Sequence, residues 1–295
     1  MSDWKTFSTY KEETIRQNLE KLKLLGRTLT LNDFSSIDLF HPGMHAGLDM
    51  LMSEYSLPKD GIALDIGCGI GGVSRYLASC GFTVKGVDIN DSFLKIAQEI
   101  TELVGLSDKI TYHSLNLVND EIPPASYTFA NMICVLILIS DISFFRDLYK
   151  YFQIDGAIYI EDYFLIRECI TDEERKYVND LGLTNIRTLE SVVSTLQSYG
   201  YEVKVLEDIS KIWSESIWDR AERIWNRKIA DEIVDDLELY GYAIAAPKML
   251  SFLSHYSIEE LSNLFPHTLN AVGIKTVYEN EKFVNCSRIA AFKRS

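Results

Sequence analysis

The sequence predicts an α/β fold built on a doubly wound sheet with helices on both faces. Three observations carry this expectation. Strand-like and helix-like patterns alternate from residue 62 to about residue 163, which a mostly parallel sheet requires. A buried apolar run, Ile62-Ala63-Leu64-Asp65-Ile66, leads straight into Gly67-Cys68-Gly69-Ile70-Gly71. Alternate glycines let the backbone turn tightly and approach a ligand without a Cβ in the way. A second short strand, Thr83 to Val87, then ends on Asp88, where a carboxylate can accept hydrogen bonds from both hydroxyls of a ribose.

The elements follow in order. Ile15, Leu19, Leu22 and Leu25 recur at helical spacing and predict a helix over 10–25. A second helix is expected over 43–55, and Pro58-Lys59-Asp60-Gly61 is a turn ahead of the first strand. The helix after the glycines spans 73–79, and the third strand runs from Ile110 to Leu115. Phe129 to Leu136 is almost continuously apolar and reads as a strand buried on both faces. A helix over 143–152, a turn at Asp155-Gly156 and a fifth strand over 157–160 follow. Residues 164–198 are mostly helical, and Tyr201 to Leu206 and Val284 to Phe292 are the last strands. Between them Trp218, Ala221, Trp225, Ile229, Ile233, Leu237 and Tyr240 form an apolar helical stripe. The acidic residues Asp231, Glu232, Asp235, Asp236 and Glu238 lie mostly off it and form a solvated face.

Composition narrows the function. In 295 residues the net charge is −14, which argues against nucleic acid and against an anionic membrane surface as partners. It suits a neutral or cationic small molecule. No apolar run is long enough to span a bilayer, and the N-terminus has no signal layout. Five scattered cysteines, none at metal-ligand spacing, predict a reducing cytoplasmic setting and no metal centre. Nothing in the sequence separates a monomer from a homodimer.

The glycines alone do not choose the cofactor, because Gly67, Gly69 and Gly72 also satisfy the loose dinucleotide pattern. Asp65 narrows the choice. It ends the first strand two residues before Gly67, where a carboxylate repels a pyrophosphate but favours an ammonium and a sulfonium. S-adenosyl-L-methionine has that charge pattern. Asp65-Ile66-Gly67-Cys68-Gly69-Ile70-Gly71 resembles the first motif of the class I S-adenosylmethionine-dependent methyltransferases. Phe40-His41-Pro42-Gly43, Gly71 to Leu77 and Gly105 to Tyr112 resemble the branch of that family that methylates small molecules. That branch includes sarcosine/dimethylglycine and phosphoethanolamine N-methyltransferases.

The resemblance implies a Rossmann-like sheet of seven strands, the last inserted antiparallel between the fifth and sixth, and a helical cap over the acceptor. It divides the chain into an N-terminal helical segment (1–40), a cofactor-binding core (41–165), a first helical insertion (166–200), a core strand (201–210), the cap (211–280) and the last strand (281–295). It places the cofactor on Asp65, Gly67, Gly69, Gly71, Asp88, Ile89, Asn116 and Leu117. Some positions depart from the family pattern. Asn116 stands where an adenine-binding Asp is usual, Leu138 where a histidine is frequent, and Cys134 where the phosphoethanolamine enzymes carry an acid. The acid and histidine of the phosphobase enzymes are therefore absent.

The implied activity is direct methyl transfer to a small acceptor, foremost an amine nitrogen. Such displacement needs alignment and exclusion of water more than a strong base. His45, Asp162 and Tyr163 are the candidate catalytic residues, while His41, Trp213, Trp218 and Tyr240 are the candidate acceptor-binding residues. The histidines flank the loop before the second helix, and Asp162 and Tyr163 end the fifth strand. The aromatics are candidates to line a lid pocket for a methylammonium by cation–π contact. Each also fits a plainer role: a helix cap, a turn carboxylate or a core aromatic. O- or C-methylation of a natural product, a nicotinamide-dependent oxidoreductase and a non-catalytic cofactor-binding protein are the rival functions.

Overall fold

A computed structural model describes residues 4–34, 45–55, 57, 60–168, 170–180, 183–216, 219 and 284–294. Its centre is a seven-stranded sheet of order β3-β2-β1-β4-β5-β7-β6. The strands are β1 (Ile62–Ile66), β2 (Thr83–Asp88), β3 (Ile110–Ser114), β4 (Tyr127–Ile133), β5 (Phe152–Leu165), β6 (Tyr201–Asp208) and β7 (Val284–Lys293). All are parallel except β7, which lies antiparallel between β5 and β6. The helices are α1 (Trp4–Lys23), α2 (Ala46–Glu54), α3 (Gly72–Ser79), α4 (Asp91–Leu103), α5 (Phe144–Tyr151), α6 (Asp172–Asp180) and α7 (Leu189–Ser198).

Strand alternation sends successive side chains to opposite faces. On one face Ala63, Val84, Phe129, Tyr159, Ala290 and Phe292 pack against Leu48, Leu51 and Met52 of α2 and Leu77 of α3. On the other, Leu64, Met132, Ile160 and Ile289 meet Phe145 and Leu148 of α5 and Val192 and Leu196 of α7. A third cluster joins Ile15 and Leu19 of α1 to Ile96 and Ile100 of α4, with Ile70 of the glycine turn buried among them. The N-terminal helix thus anchors that turn from outside the sheet.

Three expectations shift. β4 stops at Ile133, and Leu136–Leu138 forms a 3-10 turn. β5 starts at Phe152, passes through Asp155 at φ +62°, and continues to Leu165 because β7 pairs with it from Ala157 onward. The segment 164–198, read as mostly helical, holds two helices, α6 and α7, and its first residues belong to β5. Thr188 caps α7 by accepting the Ser191 N–H at 3.2 Å. The stripe from Trp218 to Tyr240 lies outside the described residues; before it, residues 210–216 are helical. Among the described residues no helix is long and apolar enough to cross a membrane.

Candidate functional site

The parallel strands β1, β2 and β4 end together at one edge of the sheet, and the glycine turn crosses that edge. Gly67, Gly69 and Gly71 have φ values of +68°, +53° and +82°, a region that side-chain-bearing residues avoid. The Gly67 and Cys68 N–H groups both donate to the Val87 carbonyl, at 2.8 and 3.0 Å, which ties the turn to β2. A Cβ on Gly67 would run into the Val135 side chain, and one on Gly71 into the Tyr112 hydroxyl. The turn therefore has neighbours on both flanks.

Asp88 is half-buried at the end of β2. One of its oxygens accepts the Gly69 N–H at 2.8 Å and the other the Asn90 N–H at 2.9 Å. A carboxylate has about four acceptor sites, so these two bonds leave acceptor capacity on the side chain, shared with the nearby Ile89 N–H. Burial raises its pKa, and the backbone donors oppose that rise. Beside it Ile89 is 65% exposed, a large apolar surface at the lip of the site. Across β3, the Asn116 side-chain oxygen accepts the Val118 N–H at 3.0 Å, and Leu117 is half-buried against the core. Asn116 thus shapes its own turn and keeps one lone pair for a ligand.

Asp65 lies beneath the turn and is buried. Its oxygens accept from the Ser74 hydroxyl and, at 2.8 Å, from the Asn131 amide. Burial pushes its pKa up to about 6, so it is an anion at neutral pH. It offers a nearby negative charge more than a free oxygen. Ser74 and Asn131 were not singled out in the sequence. A polar residue inside the apolar run of β4 was the available signal. Arg75 is fully buried and donates to the Ile70 and Ala97 carbonyls at 2.8 and 3.3 Å, pinning the turn to α4. It is structural, as its place in the helix after the glycines suggests.

The catalytic and acceptor candidates are redistributed. Asp162 is fully buried, and its oxygens accept the Leu136 N–H at 2.7 Å and the Tyr163 N–H at 2.8 Å. Burial pushes its pKa up to about 7 against these backbone donors. Its oxygens order the backbone at Leu136 and Tyr163. Tyr163 packs edge-on against Trp213 at 4.7 Å, in the core. Trp213 is itself fully buried and donates its indole N–H to Glu161 at 2.7 Å. In this structure all three side chains are buried: Asp162 and Trp213 in hydrogen bonds and Tyr163 against Trp213. His45 precedes α2 and stacks on Tyr76 of α3 with ring centroids 3.8 Å apart. Its Nε2 is buried with no hydrogen-bond partner among the described residues, and burial lowers its pKa, so it is held neutral. His41, Trp218 and Tyr240 lie outside the described residues.

Glu161 is a hub that the sequence reading missed. It accepts from Trp213, from the Tyr159 hydroxyl and, at 3.1 Å, from Nε of the buried Arg288. An arginine inside the apolar β7 segment required such a partner. Among the described residues no group of acidic, histidine or cysteine side chains is arranged to hold a metal ion.

Residues 63–156 match the family described as the methyltransferase domain. Strand order and this match agree: residues 63–156 are similar to a methyltransferase domain and lie in a sheet with the strand order of the class I methyltransferase fold. A protein arginine N-methyltransferase of Saccharomyces cerevisiae is 27% identical over 187 residues, 63% of this chain and 50% of that protein. The chain spans about half the length of the first curated relatives it matches. Among solved structures, phosphoethanolamine N-methyltransferase 2 of Haemonchus contortus, in complex with phosphomonomethylethanolamine and S-adenosylhomocysteine, aligns with a TM-score of 0.63 at 21% identity. That alignment covers 88% of this chain and 55% of the other. The [4+2]-cyclase SpnF aligns with a TM-score of 0.58 at 15% identity, over 84% and 81% of the two chains. These likenesses establish the fold. The cyclase shows that the fold alone does not name the reaction.

Proposed function

We propose that this chain binds S-adenosyl-L-methionine at the glycine turn and transfers its methyl group to the nitrogen of a small amine. The observation that carries this reading is that three glycines at positive φ are joined to two carboxylates, Asp88 bonded to the turn at Gly69 and the buried Asp65 at the end of the strand that leads into it. Asp88 takes the ribose hydroxyls. Ile89 and Leu117 supply apolar cover for the adenine, and Asn116 its remaining acceptor. Asp65 makes the methionine end favourable for positive charge and unfavourable for a pyrophosphate. When bound, the cofactor supplies an electrophilic methyl group on a positively charged sulfur. The chain aligns the acceptor, excludes water, and needs no strong base for an amine that arrives neutral. Cys134 and Leu138, in place of an acid and a histidine, suit that chemistry. Trp218 and Tyr240 remain the proposed aromatic contacts to the acceptor, read from the sequence alone. Trp213 is withdrawn from that role.

Asp65 gives this reading a pH signature. Cofactor affinity is expected to fall as pH drops through about 6, because protonation removes the anion. Apo stability is expected to respond with the opposite sign. A carboxyl pKa raised by folding contributes stability below its unfolded value, and that contribution is lost as pH rises through the folded value. Calorimetric titration from pH 5 to 8 checks the first effect, and Asp65→Asn should flatten the profile. A wild-type affinity independent of pH would remove Asp65 from cofactor recognition.

The function itself is tested with methyl-labelled S-adenosyl-L-methionine and a panel of ethanolamine, sarcosine, dimethylglycine and phosphoethanolamine, with mass identification of products. Label in a small amine is the expected result. Label in arginine side chains of an added protein, or in an oxygen or carbon of a natural-product fraction, would replace the amine reading. Cofactor binding with no labelled product would mark a non-catalytic protein.

A further inference from the structure

The loop 134–140 leaves β4 beside the glycine turn, and Val135 fills the space that a Cβ on Gly67 would need. The loop therefore forms the wall facing the turn. It brings no acid or base to that wall, yet its backbone is held from two sides. On the N–H side, the buried Asp162 carboxylate accepts from Leu136 at 2.7 Å and from Tyr163 at 2.8 Å, and the neighbouring Val135 and Ile137 N–H groups also favour its charged form. On the carbonyl side, the Arg187 guanidinium donates to Leu136, Ile139 and Ser140 at 3.3, 2.7 and 2.7 Å, and to Asn185 at 2.8 Å. The Asn185 N–H reaches the Ile137 carbonyl at 3.1 Å, and the Arg187 carbonyl takes the Leu165 N–H at 2.8 Å. The clamp is thus fastened to the end of β5.

Among the described residues Arg187 makes no close ion pair. Its charged fork is satisfied by carbonyls, three of them from one loop. Burying half of a cation costs desolvation; burial lowers the Arg187 pKa, and the charges of Asp141 and Asp162 oppose that fall. The loop also opens on Cys134 at φ +56°. A side-chain-bearing residue in that region persists only where its surroundings over-determine it, and such residues cluster at functional sites.

We propose that Arg187 is a positioning residue: with Asp162 it fixes the distance between the loop 134–140 and the glycine turn, and so the alignment of acceptor and methyl donor. This rests on the methyltransferase reading above. Arg187 touches no reacting atom and acts through the loop it holds.

The test uses Arg187→Ala and Arg187→Lys in the full chain, with the amine from the panel above that turns over fastest. Arg187→Ala should lower kcat by about 10- to 100-fold, the scale of a misplacement near one ångström. Calorimetric affinity for S-adenosyl-L-homocysteine should stay within about a factor of three, and amide exchange of residues 135–138 should accelerate by about tenfold or more. Lysine keeps the charge but lacks the planar fork, so Arg187→Lys should recover only part of kcat; it carries the test if the alanine variant does not fold. Unchanged exchange in the loop, a retained kcat, or homocysteine-product affinity that falls in step with kcat would overturn the proposal. If wild-type protein methylates no amine, the functional reading fails. Exchange in the two variants then still decides whether the clamp exists.

Discussion

Replacing Asp88 with alanine is expected to weaken S-adenosyl-L-methionine binding by about 2–3 kcal/mol, roughly 30- to 150-fold. The side chain has two tasks. Its oxygens hold the Gly69 and Asn90 N–H groups at 2.8 and 2.9 Å, and their remaining lone pairs face the ribose position in the proposed complex. Alanine removes both, so part of the loss comes from a loosened turn. Asp88→Asn keeps one accepting oxygen and should lose less. Calorimetry on variants shown by thermal melts to be folded separates the two effects. Wild-type affinity in a folded Asp88→Ala protein would remove the ribose assignment.

The second large effect concerns stability. Glu161→Ala leaves the buried Arg288 with Glu207 alone, whose carboxylate reaches Nη1 at 2.8 Å from a 44%-exposed side chain. It also strands the Trp213 and Tyr159 donors. Breaking a buried pair costs about 3–5 kcal/mol, and the surviving Glu207 contact puts the expected loss near the lower end, about 3 kcal/mol. Nη2 of Arg288 already lacks a partner among the described residues, so little compensation is at hand. Denaturant unfolding measures the loss. A change below about 1 kcal/mol would show that water reaches the cluster and satisfies it.

Much of the glycine turn and its flanking strands was legible because their requirements are local. Three alternate glycines announce three left-handed residues, and Asp88 ends a short strand at a fixed distance from them. The strand order was not legible from periodicity; it came only with the family resemblance, which placed β7 correctly between β5 and β6. The acceptor side was read less well, for an identifiable reason. Val135 to Leu138 continues the apolar run of β4 without a break, so hydrophobicity extends the strand to Leu136. The break is made by Asp162, 26 residues away, which draws the loop's N–H groups toward itself. The burial of Trp213 was hidden in the same way. An aromatic ahead of an aromatic stripe suits a lid, but the Glu161 carboxylate in another element holds its indole N–H in the core. Long-range polar partners decide both, and spacing carries no trace of them.

The central claim is that the edge formed by β1, β2 and the glycine turn holds S-adenosyl-L-methionine. A titration of the full chain with S-adenosyl-L-methionine and, separately, with NADH tests it most directly. The account predicts saturable binding of S-adenosyl-L-methionine, displaced by S-adenosyl-L-homocysteine and weakened by Asp88→Ala, and no binding of NADH against the Asp65 charge. Saturable binding of NADH with none of S-adenosyl-L-methionine would contradict it.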